Sequence, residues 1–476
     1  MTGSLVGRSF LISGLPALLV LLLVGPAQGE PSSRLAAAGT SAGTPASSDA
    51  AGALVLQRDG KFVAAGFAGS DFALARYLPN GSLDRGFGVG GRVVTNIVAD
   101  FAGVDATAIQ GNGKLVAAGW ASYKGNDEWP VLARYRSDGR LDRTFGRKGI
   151  VQKYFRAGGG LLVGAHAVAI QRDGKIVAAG DSYSFDAYCT ELPCAPPSGL
   201  FALARFLPSG RPDRNFGSGG DVATDVGPGP IDAAEALAVQ RDGKLVLAGW
   251  SGDAFGAPRR KGDFALARYR SDGRLDPTFG NGGKVVTGFG PRAVDEAEAV
   301  VLQKDGRIVA VGRSCALPHA LTACRLAVAR YLPDGRLDPS FAGGTVLLRF
   351  GSAGFNEASA IAIQQDGKIV VAGRSGHSTR PPSEFALARF LPNGHLDRSF
   401  GTGGRVLTQI RRGRFDAAAA LVLTRRGKIL IAGQSYRSIR TPGDFALARY
   451  RRDGRLDPTF GKSGKLLTDF GPAERS

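Results

Sequence analysis

Residues 364–401 read QQDGKIVVAGRSGHSTRPPSEFALARFLPNGHLDRSFG. Two apolar runs of strand length, 368–373 and 385–390, follow a first at 360–364 and precede a fourth at 405–408, all rich in the β-branched and aromatic residues that strands favour. Asp366-Gly367 separates the first two, a pair that tolerates the positive φ of a tight hairpin turn. The same wording recurs along the chain. Its arginine falls at Arg76, Arg134, Arg205, Arg268, Arg330, Arg389 and Arg449, with spacings of 58, 71, 63, 62, 59 and 60, and an aspartate follows eight residues later each time, from Asp84 to Asp457. Length variation therefore lies outside this segment, mostly between the glycine closing the second run (Gly66 in the first repeat, Gly433 in the last) and the arginine-bearing third run. A period of this length marks a solenoid, a propeller or an array.

Four antiparallel runs repeated seven times predict an all-β chain, a seven-bladed β-propeller of four-stranded blades. The repeats fall at about 51–105, 106–165, 166–233, 234–297, 298–358, 359–418 and 419–476. In the third run of the first repeat, alternation sets Phe72, Leu74 and Arg76 on one face and Ala73, Ala75 and Tyr77 on the other. The alanines let the next blade approach while Phe and Leu fill its groove. A parallel β-helix is the rival, but its coils are shorter and lack Asp-Gly hairpins. Asn112-Gly113 keeps the turn chemistry, and Arg426-Gly427 weakens it. The chain opens with a first strand near Gly52 and closes with a fourth at 465–468, so no strand is left over for a shared terminal blade and closure is expected to rest on packing.

The wording Gln-x-Asp-Gly-Lys-Ile-Val-Val-Ala-Gly, then Phe-Ala-Leu-Ala-Arg-Tyr-x-Pro-Asp-Gly-x-Leu-Asp-x-x-Phe-Gly, resembles the bacterial delta-60 repeat family from residue 51 to about 470. The strand order is more distantly similar to NHL-type propellers. The resemblance implies a propeller-like surface protein and brings with it no activity, substrate or catalytic residue.

A length of 476 residues would by itself suggest two or three domains, and the repeat overrides that count. Residues 1–29 read as a secretory signal: Arg8 before an apolar stretch, 11–24, then Ala27-Gln28-Gly29 as a cleavage site. The stretch is short for a membrane span of about 20 residues; an uncleaved anchor is the other reading. Residues 30–50, rich in Ala, Ser, Gly, Thr and Pro, read as a disordered linker. Export permits disulfides, and the four cysteines pair locally, Cys189 with Cys194 and Cys315 with Cys324, as staples in the same slot of two repeats. A zinc site is the weaker reading, since only His319 lies between the second pair.

The recurring charges read as structure: Arg76 with Asp84, Arg268 with Asp276 and Arg449 with Asp457 are expected to form ion pairs or arginine-to-carbonyl anchors that set blade geometry. The Phe-Gly pairs read as core plug and turn. Variation gathers on one face instead, in the loops 184–198, 251–261, 314–322, 375–383 and 435–442. Connectors on that face carry Asp105, Asp232, Asp295 with Glu296, Asn356 with Glu357, and Asp416, with His166 nearby in the third repeat. Such a ring at a channel mouth suits Ca²⁺ or a cationic ligand; the plainer reading is that each acid caps a turn or pairs with an arginine. No other cofactor is indicated. The net charge of +19 suits salt-sensitive attachment to anionic envelope polymers, through clusters such as Arg411-Arg412, Arg425-Arg426 and Arg451-Arg452, or binding to other proteins. Export argues against nucleic acid, and a monomer is expected. The sequence thus points to a secreted or envelope-bound, non-enzymatic binding scaffold; the alternative is a propeller lyase, hydrolase or dehydrogenase with its site at the channel mouth.

Overall fold

The computed structural model describes residues 49–471 except 98, 124–126, 153–155, 158–159, 163, 185–197, 254–260, 292, 317–322, 352–353, 378–380, 439–440 and 442. Cys189, Cys194, His319 and the signal segment lie outside the described residues, as does the linker up to 48; Asp49 and Ala50, read as its end, begin the first strand. Strands β1 (Asp49–Leu56), β2 (Phe62–Ala68), β3 (Asp71–Tyr77) and β4 (Arg92–Thr95) pair in that order, each antiparallel to the next. The same meander recurs down to a final strand at Lys465–Thr468, and no α-helix occurs among the described residues.

Strands run further than the apolar runs suggest. In the sixth repeat they span Phe355–Ile363, Ile369–Gly376 and Ser383–Phe390, because polar residues that read as loop are buried and paired inside the sheet, as Ser375 is to Asn356 (2.9 Å). The third repeat departs from the pattern. Its first strand is only Ala167–Ile170, and Gly160–Leu162 takes up the remaining pairing with Ile176–Ser184. Single parallel bridges, Gly199 to Ile231, Gly262 to Val294 and Ser383 to Phe415, stitch the third strand of one repeat to the first strand of the next.

The core lies between successive meanders. Phe72 and Leu74 pack with Leu115 and Val131 of the second repeat, while Ala73, Ala75 and Tyr77 pack against Leu430, Leu447 and Phe460 of the seventh. First strands neighbour one another in turn, and that of the last repeat, Phe415–Leu423, lies against β1. Each seam carries the same polar joint. Arg268 Nε donates to Asp276 (2.9 Å), the guanidinium sits 4.6 Å over the Phe279 ring, and Nη1 donates to the Pro333 carbonyl of the following repeat. Arg76 joins Asp84 (2.8 Å), Phe87 and the Ser137 carbonyl in the same way. Arg449 joins Asp457 (2.7 Å), Phe460 and the Pro79 carbonyl, so the last repeat grips the first by the joint used elsewhere. Gly461 N–H to Asn80 (3.0 Å) and Tyr77 hydroxyl to Thr468 (2.8 Å) complete that seam, as Gly280 to Asp334 (2.7 Å) and Tyr331 to Thr287 (3.0 Å) do within the chain.

Candidate functional site: the channel wall

First strands face one another, and what they present inward is decided by a β-bulge. Pairing with the second strand slips by one residue between Ala51 and Ala53, Val104 and Ala106, Ala234 and Ala236, and Ala297 and Ala299, with like slips in the sixth and seventh repeats. The skipped residues include Gly52, Asp105, Glu235 and Glu298, and His166 occupies the corresponding place in the third repeat. A bulge re-aims a side chain. The recurring glycine of the second strand permits it: a Cβ on Gly312 would stand 1.9 Å from the Glu296 carbonyl oxygen, and the six counterparts are as crowded. The residue after that glycine is therefore Phe67, Trp120, Asp181, Trp250, Arg313, Arg374 or Gln434, according to repeat.

These positions divide the wall into unlike halves. Where the seventh, first and second repeats meet, Ala50, Gly52, Gly103 and Ala417 with Trp120 and Gln434 enclose a cavity of about 20 Å³, room for about one water. The fourth, fifth and sixth repeats fill their side with charge. Glu357 accepts from Arg374 Nε (2.6 Å) and from Arg313 Nη1 (3.1 Å), and Arg313 Nη2 donates to Glu296. Arg374 lies between the Phe355 and Phe415 rings, 4.2 and 4.9 Å from their centroids. Burial raises the Glu298 carboxyl well above the usual range, nearby Glu235, Glu357 and Glu296 add to the rise, and Arg313 opposes it. Burial works against the Arg313 charge, but Glu296, Glu298 and Glu357 outweigh it and hold the guanidinium above its ordinary value.

Of the residues singled out in the sequence, Asp105 meets His166 (Oδ2 to Nδ1, 3.1 Å), and Asp181, not singled out, takes the other ring nitrogen at 2.6 Å. Both contacts are hydrogen bonds only with a proton in each. Glu296 and Glu357 come together through Arg313. Asp232, Asp295 and Asp416 do something else: each is buried and accepts a backbone N–H from six residues earlier, at Val226 (2.6 Å), Phe289 (2.7 Å) and Ile410 (2.7 Å), tying down the connector. Burial pushes each up to about 6. Asp49 does the same for Phe470 (2.8 Å) and is pushed up to about 7. Cys315 and Cys324 form a disulfide between directly paired residues of adjacent strands. His377 and His395 are exposed. Among the described residues no three carboxylate, histidine or cysteine ligands converge to hold a metal ion.

Glu235, Glu298, Arg313, Arg374 and Asp181 escaped the sequence reading. For Asp181, Arg313 and Arg374 the signal was there as a column: the residue after the recurring glycine changes class in almost every repeat, within a strand that otherwise barely changes; Glu235 and Glu298 sit at the first-strand bulge, which no motif marks.

Six stretches, 57–87, 110–145, 240–279, 321–341, 364–400 and 427–460, match the family described as a domain of unknown function (DUF5122) beta-propeller. Each ends on the Phe of the recurring turn, Phe-Gly in five of them and Phe341-Ala342 in the other, and the third repeat lies outside them. No curated protein matches. Similar solved structures include a protein of unknown function from Dyadobacter fermentans, 13% identical with a TM-score of 0.44 over 86% of this chain and 96% of that one. Another is α-L-arabinanase of Penicillium chrysogenum complexed with arabinobiose, 11% identical with a TM-score of 0.42 over 72% and 91%. Likeness at this level says nothing about activity. The chain is an all-β protein of the β-propeller type, matched by that propeller family in six of its repeats.

Proposed function

We propose that this is an exported, seven-bladed propeller of the delta-60 repeat type, acting as a non-enzymatic binding scaffold that takes ligands on the face where the channel opens among the variable loops. One observation carries the reading. In three repeats a parallel bridge sets the root of the loop between second and third strands beside the start of the next first strand, so these loop roots and the charged channel positions share a face. Binding residues gather on loops over a rigid scaffold. A disulfide at that end of the fifth repeat supports an oxidising compartment.

The channel wall carries Asp105, Asp181, Glu235, Glu296, Glu298 and Glu357 against Arg313, Arg374 and His166, in a chain whose net charge is +19. This local reversal favours a cationic group. The carboxylates are spread around the ring, which suits an ammonium or guanidinium on a larger ligand better than a bound Ca²⁺. One feature favours the propeller-enzyme alternative: Glu298, its carboxyl raised by burial well above the usual range, stands 3.9 Å from Arg313, an arrangement suited to acid–base work.

Trp120, Trp129 and Trp250 are the chain's three tryptophans, all buried near the loop-bearing ends of their strands, so intrinsic fluorescence reports on this face. Protein spanning residues 30–476 is titrated with spermidine and with calcium chloride at constant ionic strength. A saturable change with spermidine, weakened in Asp105→Asn, is expected. A flat response to both cations removes the cationic-ligand reading.

A further inference from the structure

The face opposite the loops carries the Asp-Gly turns, and open pockets lie between neighbouring turns at two seams. At the seam of the third and fourth repeats three acids, Asp173, Asp242 and Asp272, stand against Arg172, Lys175, Arg205 and Arg241. The closing seam has a pocket of about 600 Å³ in the same place, where Asp59 alone stands against Arg58, Arg425, Arg426, Lys428 and Arg449. Two substitutions make the difference. Arg426 replaces the turn aspartate of Asp173, and Asn80 replaces Asp272.

The turn survives the loss of its acid. In the first repeat Asp59 Oδ1 accepts the Lys61 N–H (3.1 Å); in the seventh, Thr424 Oγ1 accepts the Lys428 N–H (3.0 Å) and Arg452 Nε donates to the Arg426 carbonyl (2.8 Å). Asp457 occupies Lys428 (2.7 Å) and Arg449 (2.7 Å). Arg58, Arg425 and Arg426 are exposed, and none has an ion-pair partner among the described residues. Two adjoining repeats therefore aim three uncommitted guanidiniums at one hollow. Guanidinium recognises tetrahedral oxyanions by paired N–H donors.

We propose that this seam pocket binds a phosphate or sulfate group, free or as an ester on an anionic glycan. The site is independent of the loop face, and it is built where the last repeat meets the first.

The test uses residues 30–476 and calorimetric titration with inorganic phosphate, inorganic sulfate and heparin. Arg426→Asp restores the acid found at this turn in five other repeats, so folding is not at stake. Arg241→Asp makes the same charge change at the seam of the third and fourth repeats. Arg426→Asp is expected to weaken binding about tenfold, the worth of one charge-assisted pair, with Arg241→Asp near wild type. Binding of the free ions assigns a pocket for the small anion, and binding of heparin alone assigns a subsite for the ester. Equal losses in both variants, no loss in Arg426→Asp, or no binding of any probe overturns the proposal.

Discussion

Asn356 occupies, in the sixth repeat, the place that Asp49, Asp232, Asp295 and Asp416 hold in others. Its Oδ1 accepts from the Phe350 N–H (3.1 Å) and the Ser375 hydroxyl (2.9 Å), and its Nδ2 donates to the Cys324 carbonyl (3.1 Å). A neutral group with a donor therefore fits the slot, as a protonated aspartate would. Burial holds Asp232, Asp295 and Asp416 at about 6 against an ordinary 3.8. The folded chain thus keeps protons that the unfolded chain releases, and stability falls as pH rises from about 4 through about 6. Asp295→Asn is predicted to change little at pH 4 and to stabilise by about 1–3 kcal/mol at pH 8. Urea unfolding at both pH values checks this; a loss at pH 8 would contradict it. His166 poses the reverse case, since its removal leaves Asp105 and Asp181 without their shared partner. His166→Ala is predicted to cost about 3 kcal/mol in urea unfolding, and an unchanged midpoint would show that the contact holds nothing.

At the scale of the strand, the repeat made the meander legible because each run ends on a turn residue of fixed chemistry, and Arg76, Phe87 and Gly60 sit where the wording places them. The channel wall was not legible in the same way. Counting alternation upward from Asp-Gly fails at the bulge, which shifts Glu298 and His166 by one position, and the upper ends of the strands are polar enough to read as loop. Asp232, Asp295 and Asp416 looked like channel residues for the same reason, yet they sit next to the inward positions and serve the connectors. Ring closure was expected to rest on packing with no extra strand, and to that packing the closing seam adds the polar joint of the other seams, with Pro79 and Asn80 in the places of Pro333 and Asp334. The disulfide is an element-scale staple: Cys315 and Cys324 enclose nine positions of sequence separation and join paired strands. Replacing both with serine is predicted to lower stability by about 2–3 kcal/mol, the loop-closure worth of a short link. Unfolding of the variant beside the oxidised protein measures it, and equal stability would mean that the sheet alone fixes this edge.

For the whole molecule, two sets of carboxylates pull the pH profile in opposite directions. Burial would raise Asp142, Asp276 and Asp457, but Lys114, Lys244 and Lys428 with their threonine and arginine partners hold them far below the usual carboxylate range. Their contribution is complete above about pH 4 and is lost as pH falls further. The connector aspartates lose theirs as pH rises toward 7. Thermal midpoints are therefore predicted to peak between about pH 4 and 5; a maximum at pH 8 would show that the connector acids are ionised at little cost.

Both proposed sites require the last repeat to meet the first, since the channel is enclosed and the seam pocket built only in a closed ring. Hydrogen exchange at the closing seam tests this most directly. The Gly461 amide, bonded to Asn80, and the Phe470 amide, bonded to Asp49, are predicted to be protected within about tenfold of their counterparts Gly280 and Phe289. Exchange of Gly461 and Phe470 at unprotected rates, with Gly280 and Phe289 slow, would show an open ring and contradict the account.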